Sequence, residues 1–218
     1  MKNTALLSIV FAAAVVPMAA FAGTISGFVV AGSDGKVIRG TGYQVTHFAT
    51  GQYEIDTIPD VHSCAYSVTA GSGDTTVPAP AIATAVGRRE NHTAVMVATY
   101  GLDKQYADAG FHLIVQCAGT TPGGAAVVDP DGTLVRGVFA NSATRTGTGA
   151  YTVTFANSVL ASTCAYTAGI GLSGTLGVSD PGFVNVASGG GGTIVVRTYD
   201  THGNATDLGF HVYAACAL

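Results

Sequence analysis

Apolar and polar residues alternate with a period of two along most of this chain. Tyr151, Val153 and Phe155 fall on one face of a strand, with Thr152 and Thr154 on the other. Phe210, Val212, Ala214 and Cys216 share a face opposite His211, Tyr213 and Ala215, and Cys164, Tyr166 and Ala168 form a third such set. Upstream, Phe111, Leu113, Val115 and Cys117 align in the same way, as do Cys64, Tyr66, Val68 and Ala70. Asp34-Gly35 and Asp131-Gly132, each leading into an apolar strand, are hairpin-turn signals. Beyond the N-terminal segment nothing holds a helical period, so the pattern predicts sheet throughout.

The strands come as two copies of one series. Gly35-Lys36-Val37-Ile38-Arg39-Gly40 matches Gly132-Thr133-Leu134-Val135-Arg136-Gly137, and Cys64-Ala65-Tyr66 recurs as Cys164-Ala165-Tyr166. Asp108-Ala109-Gly110-Phe111-His112-Leu113 returns as Asp207-Leu208-Gly209-Phe210-His211-Val212, and Cys117 as Cys216. A duplication at a nearly constant offset sets the architecture before any single strand does. The expected fold is all-β: two tandem antiparallel β-sandwich, jelly-roll-like domains of about seven or eight strands each. The first spans residues 23–117 and the second 126–218, with a Gly/Pro linker over 118–125.

Residues 1–22 read as a signal peptide. Lys2 precedes the uncharged run Ala5 to Val16, Pro17 breaks it, and Ala20-Phe21-Ala22 supplies small residues for cleavage before Gly23. The run is shorter than the roughly 20 residues a membrane span needs, and no second one follows. No cysteine stands immediately after the cleavage site and no hydrophobic tail follows Cys216, so a secreted protein, extracellular or periplasmic, is expected, with no membrane span.

That compartment gives the four cysteines their meaning, since disulfides persist where thiols are not kept reduced. Four cysteines permit three connectivities. Each repeat holds one pair on apolar strand faces, which predicts Cys64–Cys117 and Cys164–Cys216, each joining a central strand to the last one. Cysteines this far apart lack the close spacing of a metal-binding set.

Charge narrows the function further. Without Lys2 the chain keeps 8 basic against 13 acidic residues, a net −5, so there is no basic track for nucleic acid. Arg88-Arg89 is followed by Glu90 and reads as a solvated loop. Charged residues make up only 10% of the chain, which argues against long surface helices and against a charged disordered tail.

Motifs for chemistry are sparse. There is no Gly-x-Ser-x-Gly elbow, His-Glu-x-x-His or phosphate loop, and Gly189 to Gly192 precedes a strand and reads as a loop tip. Asp129-Pro130-Asp131-Gly132 lacks the later acidic ligands of a calcium loop and reads as a β-turn. His112 and His211 occupy matched positions opposite the core face, as surface or inter-sheet residues or as pH- or metal-responsive ones. Asp108 and Asp207 stand just before the final strand of each repeat, to hold a turn through backbone amides or to meet a cation or sugar hydroxyl. Tyr53, Tyr151, Tyr66 and Tyr166 fall on core faces, whereas Tyr100 and Tyr199 end strands where they would line a loop-end groove. These six (Asp108, Asp207, His112, His211, Tyr100 and Tyr199) are the candidate binding residues. Catalytic residues, a metal and a cofactor are not expected.

The string Arg145-Thr146-Gly147-Thr148-Gly149-Ala150-Tyr151-Thr152-Val153-Thr154-Phe155, with Cys164-Ala165-Tyr166, Val196-Arg197-Thr198-Tyr199-Asp200 and Phe210-His211-Val212, resembles a β-sandwich repeat of exported bacterial proteins. It also resembles the C-terminal heads of some phage tail fibres and collagen-like proteins. The resemblance implies a binding or assembly head and transfers no catalytic residue. Repeat 1 departs at Ala49-Thr50-Gly51-Gln52-Tyr53, where the Arg-Thr-Gly start of Arg145-Thr146-Gly147 is lost, and where Tyr100-Gly101 replaces Tyr199-Asp200, so a site built on Arg145 or Asp200 would exist once. Two functions are consistent with the sequence. One is a structural or interaction protein assembling with itself as a homo-oligomer through its β domains. The other is a soluble module that binds a surface glycan or protein. Ile114 and Tyr213, apolar on outward strand faces, favour the first.

Overall fold

A computed structural model describes residues 25–57, 60–117, 123–156, 164–174 and 177–216; the expected signal peptide lies outside them. Strands and turns make up the described residues, and none of them forms a helix long and apolar enough to cross a membrane. Repeat 1 contains β1 (Ile25–Ala31), β2 (Val37–Gly40), β3 (Gln44–Ala49), β4 (Gln52–Asp56), β5 (Ala65–Ala70), β6 (Ile82–Gly87), β7 (Ala94–Tyr100) and β8 (Phe111–Gln116). Repeat 2 contains β9 (Gly123–Val128), β10 (Leu134–Val138), β11 (Ala140–Gly147), β12 (Ala150–Phe155), β13 (Cys164–Ile170), β14 (Phe183–Gly190), β15 (Thr193–Tyr199) and β16 (Phe210–Cys216). Because β9 begins at Gly123, the last three residues of the 118–125 stretch expected as linker are already strand.

Each repeat is a sandwich of two four-stranded antiparallel sheets, β2–β1–β8–β5 against β3–β4–β7–β6, and β10–β9–β16–β13 against β11–β12–β15–β14. The strand order is the same in both, as the duplication requires. Alternation explains what each sheet buries. Along β12, Tyr151, Val153 and Phe155 are buried while Thr152 and Thr154 are partly exposed. At the centre of each core a tyrosine meets a phenylalanine, Tyr53 with Phe111 and Tyr151 with Phe210, both with ring centroids 5.1 Å apart. All four rings are fully buried, and burying an aromatic side chain of this kind contributes roughly 1.5–3 kcal/mol.

Turns of defined chemistry join the strands. At the β1–β2 turn the Lys36 amide donates to Asp34 Oδ1 at 2.9 Å and Gly35 takes φ +79°, while at β9–β10 Thr133 donates to Asp131 at 2.8 Å and Gly132 takes φ +90°. These are Asx-supported β-turns, and the Asp131 carboxylate is committed to the turn amide. Gly191 and Gly192 form the tight β14–β15 hairpin turn, both with positive φ.

Both disulfides form as the cysteine positions suggest, Cys64–Cys117 and Cys164–Cys216. Their place in the sheet differs from the expectation. β5 and β13 are edge strands, so each bridge ties a sheet edge to its inner neighbour, with Cys164 directly opposite Cys216 in the register. Two intact disulfides fit a location outside the cytoplasm.

Replacing one pair, Cys64→Ser with Cys117→Ser, is expected to lower the unfolding free energy by roughly 4 kcal/mol, the chain-entropy value for a closed loop of this length. Urea denaturation measures it, and a loss below about 1 kcal/mol would mean that the edge is held without the bridge.

Candidate functional site

Asp108 and Asp207 turn inward onto their own repeats. Asp108 Oδ1 accepts the Gly51 amide at 2.6 Å and lies 2.9 Å from His47 Nε2. Asp207 Oδ1 accepts the Gly149 amide at 2.7 Å and Arg145 Nε at 2.8 Å, and Arg145 Nη2 reaches Oδ2 at 2.7 Å. Gly51 and Gly149 hold the β3–β4 and β11–β12 turns at φ +63° and +61°, with the Thr99 and Thr198 carbonyls crowded where a Cβ would stand. The two acids therefore clamp turns. The Arg145 guanidinium, with the Gly149 amide, holds the Asp207 carboxyl below its usual range. The element that repeat 1 was expected to lack is present in another form: His47 takes the place of Arg145. Its position in the repeat was readable, but the change of residue type hid it.

The two histidines part company. His112 Nε2 lies 2.8 Å from the Ser72 carbonyl, half-buried on the outer face of repeat 1. His211 occupies the same outer face of repeat 2 but is fully buried, because repeat 1 is packed over it. Tyr213 is buried there as well, so the apolar outward residue seen in the sequence is used within the chain, whereas Ile114 stays 41% exposed. Tyr100 is buried at the inner wall of a cleft: its hydroxyl donates to the Ser179 carbonyl of repeat 2 at 3.0 Å and its ring stacks on Tyr106. Tyr199 is half-buried and bridges to Ala205 at the end of β15.

Of the six candidates, His211 and Tyr100 lie in a contact between the repeats, whereas Asp108, Asp207, His112 and Tyr199 bond within their own repeats. The edge of β5 lies across the outer face of β9, β16 and β13. There the Tyr66 amide donates to His211 Nδ1 at 2.8 Å, and Arg136 Nε donates to the Cys64 carbonyl at 2.6 Å. Both residues use a second group on the loop after β13: Arg136 Nη1 donates to the Ser173 carbonyl at 2.8 Å, and His211 Nε2 lies 3.1 Å from the Leu172 carbonyl. The Arg136 guanidinium sits 5.4 Å from the centre of the Tyr66 ring. Apolar contacts close the rest. Ala65 packs on Ala125, Val127 and Tyr213, while Val178 seats between Ile82, Ala98 and Tyr100 on one side and Val86, Met96 and Leu172 on the other.

Repeat 1 carries the counterpart of this accepting face, turned to solvent. Arg39 Nη1 donates to the Gly73 carbonyl at 3.0 Å and His112 Nε2 meets Ser72, reproducing the Arg136 and His211 contacts to their own loop. Phe28, Ile38 and Ile114 are exposed by 37%, 49% and 41% on or beside this face. The sequence showed Arg39 and Arg136 in its best-matched string without marking them as functional. Arginine there needs a partner to be recognised, and the partner comes from the other repeat.

Two open clefts flank the Val178 loop. One, of about 460 Å³, is lined by Tyr100, Lys104, Tyr106, Asp180 and Asp200; the other, of about 400 Å³, by Phe48, Arg88, Glu90, Met96 and Gly177. Among the described residues no three His, Cys, Asp or Glu side chains converge as metal ligands would. Compared with protein families, with curated proteins and with solved structures, the chain finds no match.

Two stability predictions follow from these contacts. Asp207→Ala strands the Gly149 amide and should cost about 1–2 kcal/mol, whereas Arg145→Ala, which breaks a solvent-screened pair, should cost less; urea denaturation ranks them. Burial, aided by the Arg136 charge, pushes His211 down to about 3. An unfolded histidine binds its proton near pH 6.5, so the unfolded chain carries the proton that the fold refuses. Stability from this group is complete above pH 6.5 and declines by about 1.4 kcal/mol per unit as pH falls from there toward 3. His211→Leu should be about 2 kcal/mol less stable at pH 7, with a shallower loss between pH 7 and 5 than the unmodified protein. Parallel losses in the two proteins would contradict the neutral role of His211.

Proposed function

We propose that this chain is an exported, non-enzymatic structural protein whose β domains associate with further copies of itself. The observation that carries this reading is the asymmetry between the repeats. One outer sheet face is buried inside the chain, and its counterpart on repeat 1 is exposed with apolar Phe28, Ile38 and Ile114 on or beside it. Phe28 and Ile114 are cross-strand partners, and adjoining exposed apolar side chains support an interaction site. Export is supported by the leader-like residues 1–22 and by the two disulfides. The resemblance to exported bacterial β-sandwich repeats points the same way.

Native mass of the oxidised protein, measured over a concentration series from about 1 to 100 μM, should rise above that of the monomer. A single monomeric species across the whole series overturns the reading.

A further inference from the structure

We infer that the exposed face of repeat 1 receives the β13–β14 edge of a second copy, so that molecules join head to tail. This deepens the assembly reading above and rests on it. The head is the face of repeat 1 built around Arg39 and His112, and the tail is the outer edge of repeat 2.

The first support is the clamp. In repeat 2, Arg136 and His211 each spend one group on their own loop and one on the incoming edge of β5, at Cys64 and Tyr66. In repeat 1, Arg39 and His112 make the same contacts to their own loop, at Gly73 and Ser72. Their second groups, Arg39 Nε and His112 Nδ1, have no partner among the described residues. They stand ready for a strand edge presenting a carbonyl and, two residues on, an amide.

The second support is a knob. Val178 enters the pocket that β6 and β7 of repeat 1 form inside the chain. Its counterpart in repeat 1, at the matching place between Gly71 and Ile82, is Val77, which is 91% exposed. Glycine follows the same logic. Gly171 is required because the Ala85 carbonyl of repeat 1 lies against it, and Gly71 keeps the residue although only the His112 ring comes within 4 Å of a Cβ there.

The third support is the tail. β13 is a sheet edge, with Tyr166 in the place of Tyr66, and exposed Ala165 in the place of Ala65, which is buried against repeat 2. Phe183, 44% exposed, and Tyr199 take the places of Ile82 and Tyr100 around the Val178 pocket. Asn185 and Arg197 replace Thr84 and Ala98, so the tail is more polar than the edge used within the chain. Because head and tail are different surfaces, each added copy leaves one of each exposed, which gives a filament or, if the rotation closes, a ring.

The test uses the full oxidised chain with a head variant, Val77→Asp, and two tail variants, Ala165→Arg and Phe183→Glu. All three positions are exposed, so the variants should fold, which far-UV circular dichroism checks. Each variant alone should associate at least tenfold more weakly than the unmodified protein by analytical ultracentrifugation. An equimolar mixture of Val77→Asp with Phe183→Glu should give a 1:1 dimer that grows no further, because one live head meets one live tail. If the unmodified protein assembles and the variants assemble equally well, or the mixture yields no dimer, the head-to-tail inference fails while the assembly reading stands. If the unmodified protein stays monomeric, both fail.

Discussion

The amide of Tyr66 and the carbonyl of Cys64 lie on the outer edge of β5, where the sheet ends, and the arrangement of the two repeats depends on how they are satisfied. A sheet edge is normally left to water or shielded by charge. Here it is covered by another sandwich, and a buried amide left unpaired would cost about 1–3 kcal/mol. His211 and Arg136 supply the missing acceptor and donor. The choice fixes the imidazole chemistry as well. A ring that accepts the Tyr66 amide at Nδ1 must carry its proton on Nε2, where the Leu172 carbonyl receives it. A charged ring would turn an N–H toward an N–H, so burial that keeps His211 neutral also keeps the interface closed.

Arg136 solves a different problem. It brings a guanidinium into a half-buried seam, and its donors meet the Cys64 and Ser173 carbonyls while its plane lies near the electron-rich Tyr66 ring. A lysine ammonium, compact and strongly hydrated, could not bond two carbonyls in a fixed fork and lie against an aromatic face together. The clamp therefore grips edge-strand backbone at Cys64 and Tyr66 together with the face of the Tyr66 ring.

The strands, the duplication and the disulfide pairing were legible because they rest on local signals: period-two alternation, repeated strings and one cysteine pair per copy. Asp108 and Asp207 were legible as turn clamps for the same reason, since their partners Gly51 and Gly149 are themselves matched. What alternation cannot convey is which outer face another sandwich covers. His112 and His211 have identical local patterns and opposite fates, one half-exposed and one fully buried. Tyr100 and Tyr199 diverge likewise, because only the first meets the loop of the neighbouring repeat. The placement of β5 and β13 at sheet edges was equally hidden, since strand order is set by long-range pairing and leaves no trace in a strand's own residues.

The same contact made within a chain and between chains need not have the same strength. Repeat 1 reaches repeat 2 across five residues, 118–122, between Cys117 and β9, so docking happens at a high effective concentration and costs little translational entropy. Between molecules that entropy must be offset by the contact itself. The polar tail, with Arg197 where the internal edge has Ala98, would make the proposed outer contact weaker still. In the proposed head-to-tail arrangement, an interface repeated in this unequal way would fold each molecule first and link molecules second. Under that proposal each sandwich would close its core and pair its cysteines before a neighbour docks, and the exposed head would meet edges that are already folded.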